Sequence, residues 1–275
     1  MKWRLGLNDN LSYIDSLTRS VDGDLNISIE YDSSDIARYE LCSEHIDTLD
    51  KDEKTRAFFR AKSLLSYLRG AMFLIAFGFQ DDYRAKFLPT KLYFGIDEFK
   101  SFEEISINDS DYEPSNIEIE EYYYPFDRNI KISSPYSKLG KIIELAKENK
   151  DVATILRLMG RGEIDVEDLY KIYELVLTVN HWDSDNNIIS SNQKGKFRTT
   201  VNSPQYLRDD SRHTKFDRNK VIHESQTLNF LESVNLIREL SYTWIESLLE
   251  NENIDFLEFK LFKKPDFGSV WWDNS

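Results

Sequence analysis

The chain has 275 residues, a formal net charge of −14, 40% apolar residues and a single cysteine. That length can bury a sizeable core in one large or two modest domains, and the apolar content excludes general disorder, which needs low hydrophobicity alongside high charge. One cysteine excludes an internal disulfide and a multi-cysteine zinc site, while the acidity opposes broad wrapping of nucleic acid but leaves room for a focused basic site.

Residues 1–7 lack the apolar run of a signal peptide, and the most apolar stretch, 71–79, is too short to span a bilayer. A cytoplasmic setting with no membrane partner is therefore expected. Plentiful Lys, Ile, Asn and Tyr beside sparse Ala and Gly point to an AT-rich coding sequence of bacterial or phage type.

Residues 3–7 and 25–31 alternate apolar and polar side chains and read as strands. Residues 38–46 continue in that style, placing His45 in a strand as a structural histidine and Cys42 there as a small apolar residue. Asp50 is a candidate helix cap with Glu53 reaching back to it. Phe58, Ala61, Leu64, Leu65, Leu68, Met72 and Ile75 then recur at helical spacing, with Gly78 as a stop. Residues 92–96 and 102–107 look like a strand pair.

Residues 101–127 hold no basic residue. This acidic run reads as a solvated face, or alternatively as a surface that docks on a basic partner or mimics nucleic acid. Turn-forming residues around 108–114 set a domain boundary near residue 130.

Beyond it the chain reads as helical. Leu139, Ile142, Ile143 and Ala146 mark one helix, and 152–159 a second closed by Gly160 and Gly162. Asp165 caps a third that carries Leu169, Ile172, Tyr173 and Val176. The fourth runs over 225–250 with a stripe of Leu228, Leu231, Val234, Ile237, Leu240, Trp244, Ile245 and Leu248, and with Arg238, Glu239 and Glu246 on the wet side. The fold class is α+β: an N-terminal, mostly antiparallel sheet with one long helix in 1–130, then a C-terminal helical bundle in 131–275. The tail adds a possible strand at 256–262 and the pair Trp271, Trp272, as packing residues or a docking anchor.

The chemistry concentrates in a basic loop, 194–223. Lys194, Lys196, Arg198, Arg208, Arg212, Lys215, Arg218 and Lys220 are opposed there only by Asp209, Asp210 and Asp217. Such a segment in an acidic chain calls for an anionic partner. It also holds His213 and His223, which titrate near neutrality and can exchange protons with that partner. Arginine supplies a planar, permanent fork for phosphate oxygens. Five residues of regular helix turn the chain by roughly 140°, so Arg218 and His223 meet only if Arg218 precedes the helix or a second subunit completes the pocket. No spacing of metal type joins His181, His213 and His223, and there is no phosphate-binding glycine loop or nucleophile elbow, so neither metal nor cofactor is expected.

The run Arg218-Asn219-Lys220-Val221-Ile222-His223 ahead of a long amphipathic helix resembles the Arg-polar-x-x-x-His motif of the HEPN superfamily, over 135–250 at most. Many members are metal-independent ribonucleases of toxin–antitoxin and phage-defence systems that pair two motifs across a dimer. The resemblance implies that His223 serves as general base or acid, Arg218 holds the phosphate and Asn219 orients the pair, with RNA as substrate because the ribose 2′-hydroxyl is the nucleophile. It implies a homo-oligomer or a defence-complex subunit. The spacing recurs at Arg208 and His213. A second segment, residues 197–204 followed by Ser211, Arg212 and His213, is similar to one in uncharacterised bacterial proteins, where the positions of Asn202, Arg212 and His213 stand out; that similarity moves attention from His223 to His213. The competing function is a non-catalytic adaptor or sensor whose loop binds nucleic acid or an acidic protein.

Overall fold

Trp3, Leu5 and Leu7 alternate with Arg4 and Gly6, yet all five are buried, as a strand covered on both faces requires. The computed structural model describes residues 2–7, 25–31, 37–75, 89–95, 102–105, 125–127, 130, 137–161, 164–179, 189–202 and 227–251. Strands β1 (Trp3–Leu7), β2 (Leu25–Tyr31), β3 (Ala37–Ser43), β4 (Pro89–Gly95) and β5 (Phe102–Ile105) form one antiparallel sheet in the order β2-β3-β1-β4-β5. The expected strand pair is β4 with β5, and the expected α+β class holds, with seven helices beside the five strands among the described residues. Leu5 sits opposite both Leu41 and Leu92, and Leu41 in turn opposite Ile27, so one face of the sheet is an apolar row. The other face holds an internal ion pair: Arg4 Nη1 lies 2.8 Å from Glu40 Oε2, with both side chains almost wholly buried.

His45 lies in a short helix, α1 (Glu44–Asp47), rather than in a strand, because the Ser43 hydroxyl caps that turn by accepting from His45 N. Its role is structural, as expected. The buried ring accepts at Nδ1 from Asp127 N, 2.8 Å away, and meets Phe126 edge to face. Glu53 reaches back to accept from Asp50 N, as its spacing predicted, and this bond holds its carboxyl below the usual range. A 3₁₀ turn over Lys51–Glu53 then leads into α2 (Lys54–Ile75), whose predicted apolar positions are buried.

Helix α2 packs on α3 (Lys138–Glu148) and α4 (Lys150–Met159). Two glycines set the α2–α4 crossing. A methyl at Gly70 would collide with the Leu156 carbonyl, and one at Gly160 with the Ser66 carbonyl. The helices thus touch backbone to backbone. Gly160 closes α4 at φ −82°, so its lack of a side chain serves this approach and not a left-handed turn.

Contacts divide the chain into two units, the first within Met1–Gly162 and the second Glu163–Glu252. The division falls at 162 and not near 130, since α3 and α4 pack on α2. The second unit comprises α5 (Val166–Glu174), continuing as a π turn over Leu175–Val179, then α6 (Ser191–Val201) and α7 (Phe230–Asn251). Asp165 caps α5 as predicted, accepting from Asp168 N at 2.8 Å, and Leu169, Ile172, Tyr173 and Val176 are buried. On α7 the predicted stripe positions Val234, Ile237, Leu240, Trp244 and Ile245 are buried. Leu231 is 65% exposed, while Arg238 is 4% exposed and not on the wet side. Val234, Ile237, Arg238, Ser241 and Ile245 follow helical spacing, and the small side chains of Ser233 and Ser241 share the buried face. The acidic run is described only in part, where Glu103 pairs with Lys51 and Glu104 with Lys91 at the surface. Gly78, Gly162 and the tail from 252, with Trp271 and Trp272, lie outside the described residues.

Candidate functional site

The first turn of the cationic segment is helical. Ser190 accepts from Gln193 N while Gln193 Oε1 accepts from Ser190 N, a reciprocal cap that starts α6. The apolar pair Phe197 and Val201, four residues apart, then seats the helix in the second unit. Residues 194–201 of the expected loop are therefore helical. Lys194 and Arg198 lie one turn apart on one side of α6, and Lys196 is rotated roughly 200° from Lys194. These three cations share a helix without sharing a face, and α6 itself carries no carboxylate.

Arg198 is held by its neighbours. Its Nε donates to Tyr173 Oη at 3.1 Å, and its guanidinium carbon lies 5.7 Å from the centroid of that ring. Tyr173 is buried between Phe197, at 5.0 Å, and Tyr170, stacked at 6.4 Å with 19° between the planes. Glu174 accepts from the Tyr170 hydroxyl and pushes that phenol above its ordinary range. Among the described residues Arg198 forms no ion pair.

The last turn of α6 fixes where the loop leaves and where it returns. Thr200, 1% exposed, accepts at Oγ1 from Leu228 N at 2.8 Å and donates towards the Lys196 carbonyl at 2.9 Å. Asn202 closes the helix by donating from Nδ2 to the Arg198 carbonyl. Asn229 and Glu232 cap α7 reciprocally, each accepting from the other's backbone N–H at 2.8 Å. Residues 202 and 227 are thus the two ends of one excursion, joined by a buried hydroxyl.

That excursion, residues 203–226, lies outside the described residues, and with it Arg208, Arg212, His213, Lys215, Arg218, Asn219, Lys220 and His223; His181 is outside as well. Lys194, Lys196 and Arg198 are within them. In the segment 197–202, Phe197 and Val201 are core, Thr200 the staple and Asn202 the cap, so four of its side chains have structural tasks and Arg198 faces outward. Sequence reasoning missed α6 and the parts of Tyr173 and Thr200. The Ser190-x-x-Gln193 cap and the Phe197/Val201 spacing carried the helix signal. The two contacts carried none, because they join residues 25 and 28 apart.

Among the described residues no three His, Cys, Asp or Glu side chains gather as a metal site would need, and no helix is long and apolar enough to cross a membrane. Comparison with protein-family models, with curated proteins and with solved structures finds no match for the chain.

Proposed function

We propose that the chain is a HEPN-like, metal-independent ribonuclease of a bacterial defence or toxin system, and that its second unit binds RNA through the cationic segment. The observation that supports this reading is the Thr200–Leu228 bond, which anchors both ends of 203–226 at one point beside the cations of α6. Arg212, His213, Arg218, Asn219 and His223 all fall in the sequence between those two anchored residues. In the proposed reaction Arg218 grips the scissile phosphate and His223 takes the proton of the ribose 2′-hydroxyl. The 2′-oxygen attacks phosphorus, the bond to the 5′-oxygen breaks, and the leaving oxygen receives a proton. The products are a 2′,3′-cyclic phosphate and a free 5′-hydroxyl. A dimer would supply a second copy of the motif, whose Arg218 can converge on the first copy's His223.

The test is incubation of single-stranded RNA with the protein in EDTA, followed by analysis of the ends. Cleavage with cyclic-phosphate ends is expected, reduced by about 10²–10⁴ in His223→Ala and lost in Arg218→Ala. Loss in His213→Ala instead would move the base to that residue. No cleavage by the wild type under any trigger would remove the enzyme reading.

A second reading is favoured by the exposed pair Phe230, 39%, and Leu231, 65%, at the start of α7 beside the anchor. Exposed apolar residues beside charge suit a protein interface. In that reading the unit is an adaptor. Charge reversal at Arg212 and Lys215 then abolishes association with an acidic partner, and neither histidine matters.

A further inference from the structure

Arginines on exposed helices usually sample many rotamers, and binding an anion means ordering them first. Arg198 departs from this. Its Nε is fixed on Tyr173 Oη, its plane lies by the Tyr173 ring, and no carboxylate competes for its terminal nitrogens among the described residues. One N–H of the guanidinium is consumed by the tyrosine, which leaves the two Nη groups as a ready fork. The fork stands four residues before Asn202, whose side-chain amide donates to the Arg198 carbonyl and so fixes the backbone that carries the guanidinium.

From this geometry we infer that Tyr173 is a positioning residue that holds Arg198 as a preformed receptor for one phosphate of a bound RNA strand. The inference rests on the RNA-binding reading above and adds a named phosphate contact outside the segment 203–226. The hydroxyl contact can be removed by itself, since the ring also packs on Phe197 and Tyr170 and is kept by phenylalanine.

The experiment is fluorescence-anisotropy titration of a labelled, mixed-sequence single-stranded RNA across a salt series, with wild type, Arg198→Ala, Arg198→Lys and Tyr173→Phe, each also unfolded in urea. Arg198→Ala is expected to weaken binding about tenfold and to lower the magnitude of the log K against log salt slope by about 0.7, the loss of one phosphate contact on a single strand. Tyr173→Phe keeps the charge. Its slope and urea midpoint stay at the wild-type values while affinity falls about threefold, the mark of lost positioning. Arg198→Lys is expected to match Tyr173→Phe in slope and to bind no better. The inference is overturned if Tyr173→Phe binds as wild type does, or if Arg198→Ala leaves the slope unchanged while Arg212→Ala and Arg218→Ala reduce it; in the second case the RNA reading survives without it. A wild type with no salt-dependent RNA binding overturns both.

Discussion

Thr200 joins two helices through one oxygen. Its methyl fills the buried end of α6, while its hydroxyl satisfies the Leu228 N–H just ahead of α7. Thr200→Val keeps the shape and removes the acceptor, so the Leu228 donor loses its partner. The expected cost is about 1–3 kcal/mol in urea unfolding, with the fastest gain in amide exchange at Leu228. A wild-type midpoint would show that the staple contributes nothing. Cys42 offers a second test. Burial in β3, 1% exposed, pushes its thiol up to about 11. The folded state therefore favours the neutral thiol, and this contribution is complete below the ordinary value of 9.0 and is lost as pH climbs towards 11. A thiol reagent at pH 8 should label the protein only after denaturation. Rapid labelling of the native chain would contradict the burial. At this scale the sequence was legible where a side chain acts on its near neighbours. The Glu53 and Asp165 caps were read from spacings of three residues, whereas Arg198–Tyr173 could not be, because nothing local ties residue 198 to residue 173.

At the scale of elements, the α2–α4 crossing is the most constrained contact of the first unit. Ala at position 70 or 160 would drive a methyl into a carbonyl of the facing helix, and a backbone atom cannot rotate away. Gly70→Ala should destabilise the first unit by about 3 kcal/mol, near the upper end of overpacking costs. Gly160→Ala should behave alike, and the double variant should cost less than the two together, since one separation of the helices relieves both clashes. Full additivity in urea unfolding would argue against a shared crossing. The sheet offers its own element-scale test. Glu40→Gln leaves the buried Arg4 beside a neutral amide and should cost about 3 kcal/mol; a loss below 0.5 kcal/mol, the usual size for surface substitutions, would show that the pair is not felt as buried. The buried face of α7 belongs here as well. Arg238 was placed on the wet side from its charge, but helical spacing from Val234 and Ile237 puts it on the buried face, and position overrides residue type.

At the scale of the whole molecule, a net charge of −14 is set against one stretch in which eight cations meet three aspartates. On the proposed reading, an RNA strand would be held at that one stretch against a net negative charge, so its binding should be steeply salt-dependent. Self-repulsion among the carboxylates acts on folding in the opposite direction. Raising sodium chloride from 10 mM to 0.5 M should increase thermal stability while it weakens RNA binding. A protein that loses both together would show that its surface charges are already paired.

The amino-acid sequence by itself determined the strands, the long amphipathic helices, the caps at Asp50 with Glu53 and at Asp165, and the segregation of charge, because periodicity and capping are local and act within a few residues. Tertiary structure alone decided that α3 and α4 join the sheet unit, that Gly160 serves a helix crossing, that Arg238 is buried, and that Thr200 bonds to Leu228, 28 residues further on. Each of these depends on which surfaces come together across tens of residues, and hydrophobic attraction, being non-directional, leaves that choice to the packing of the whole.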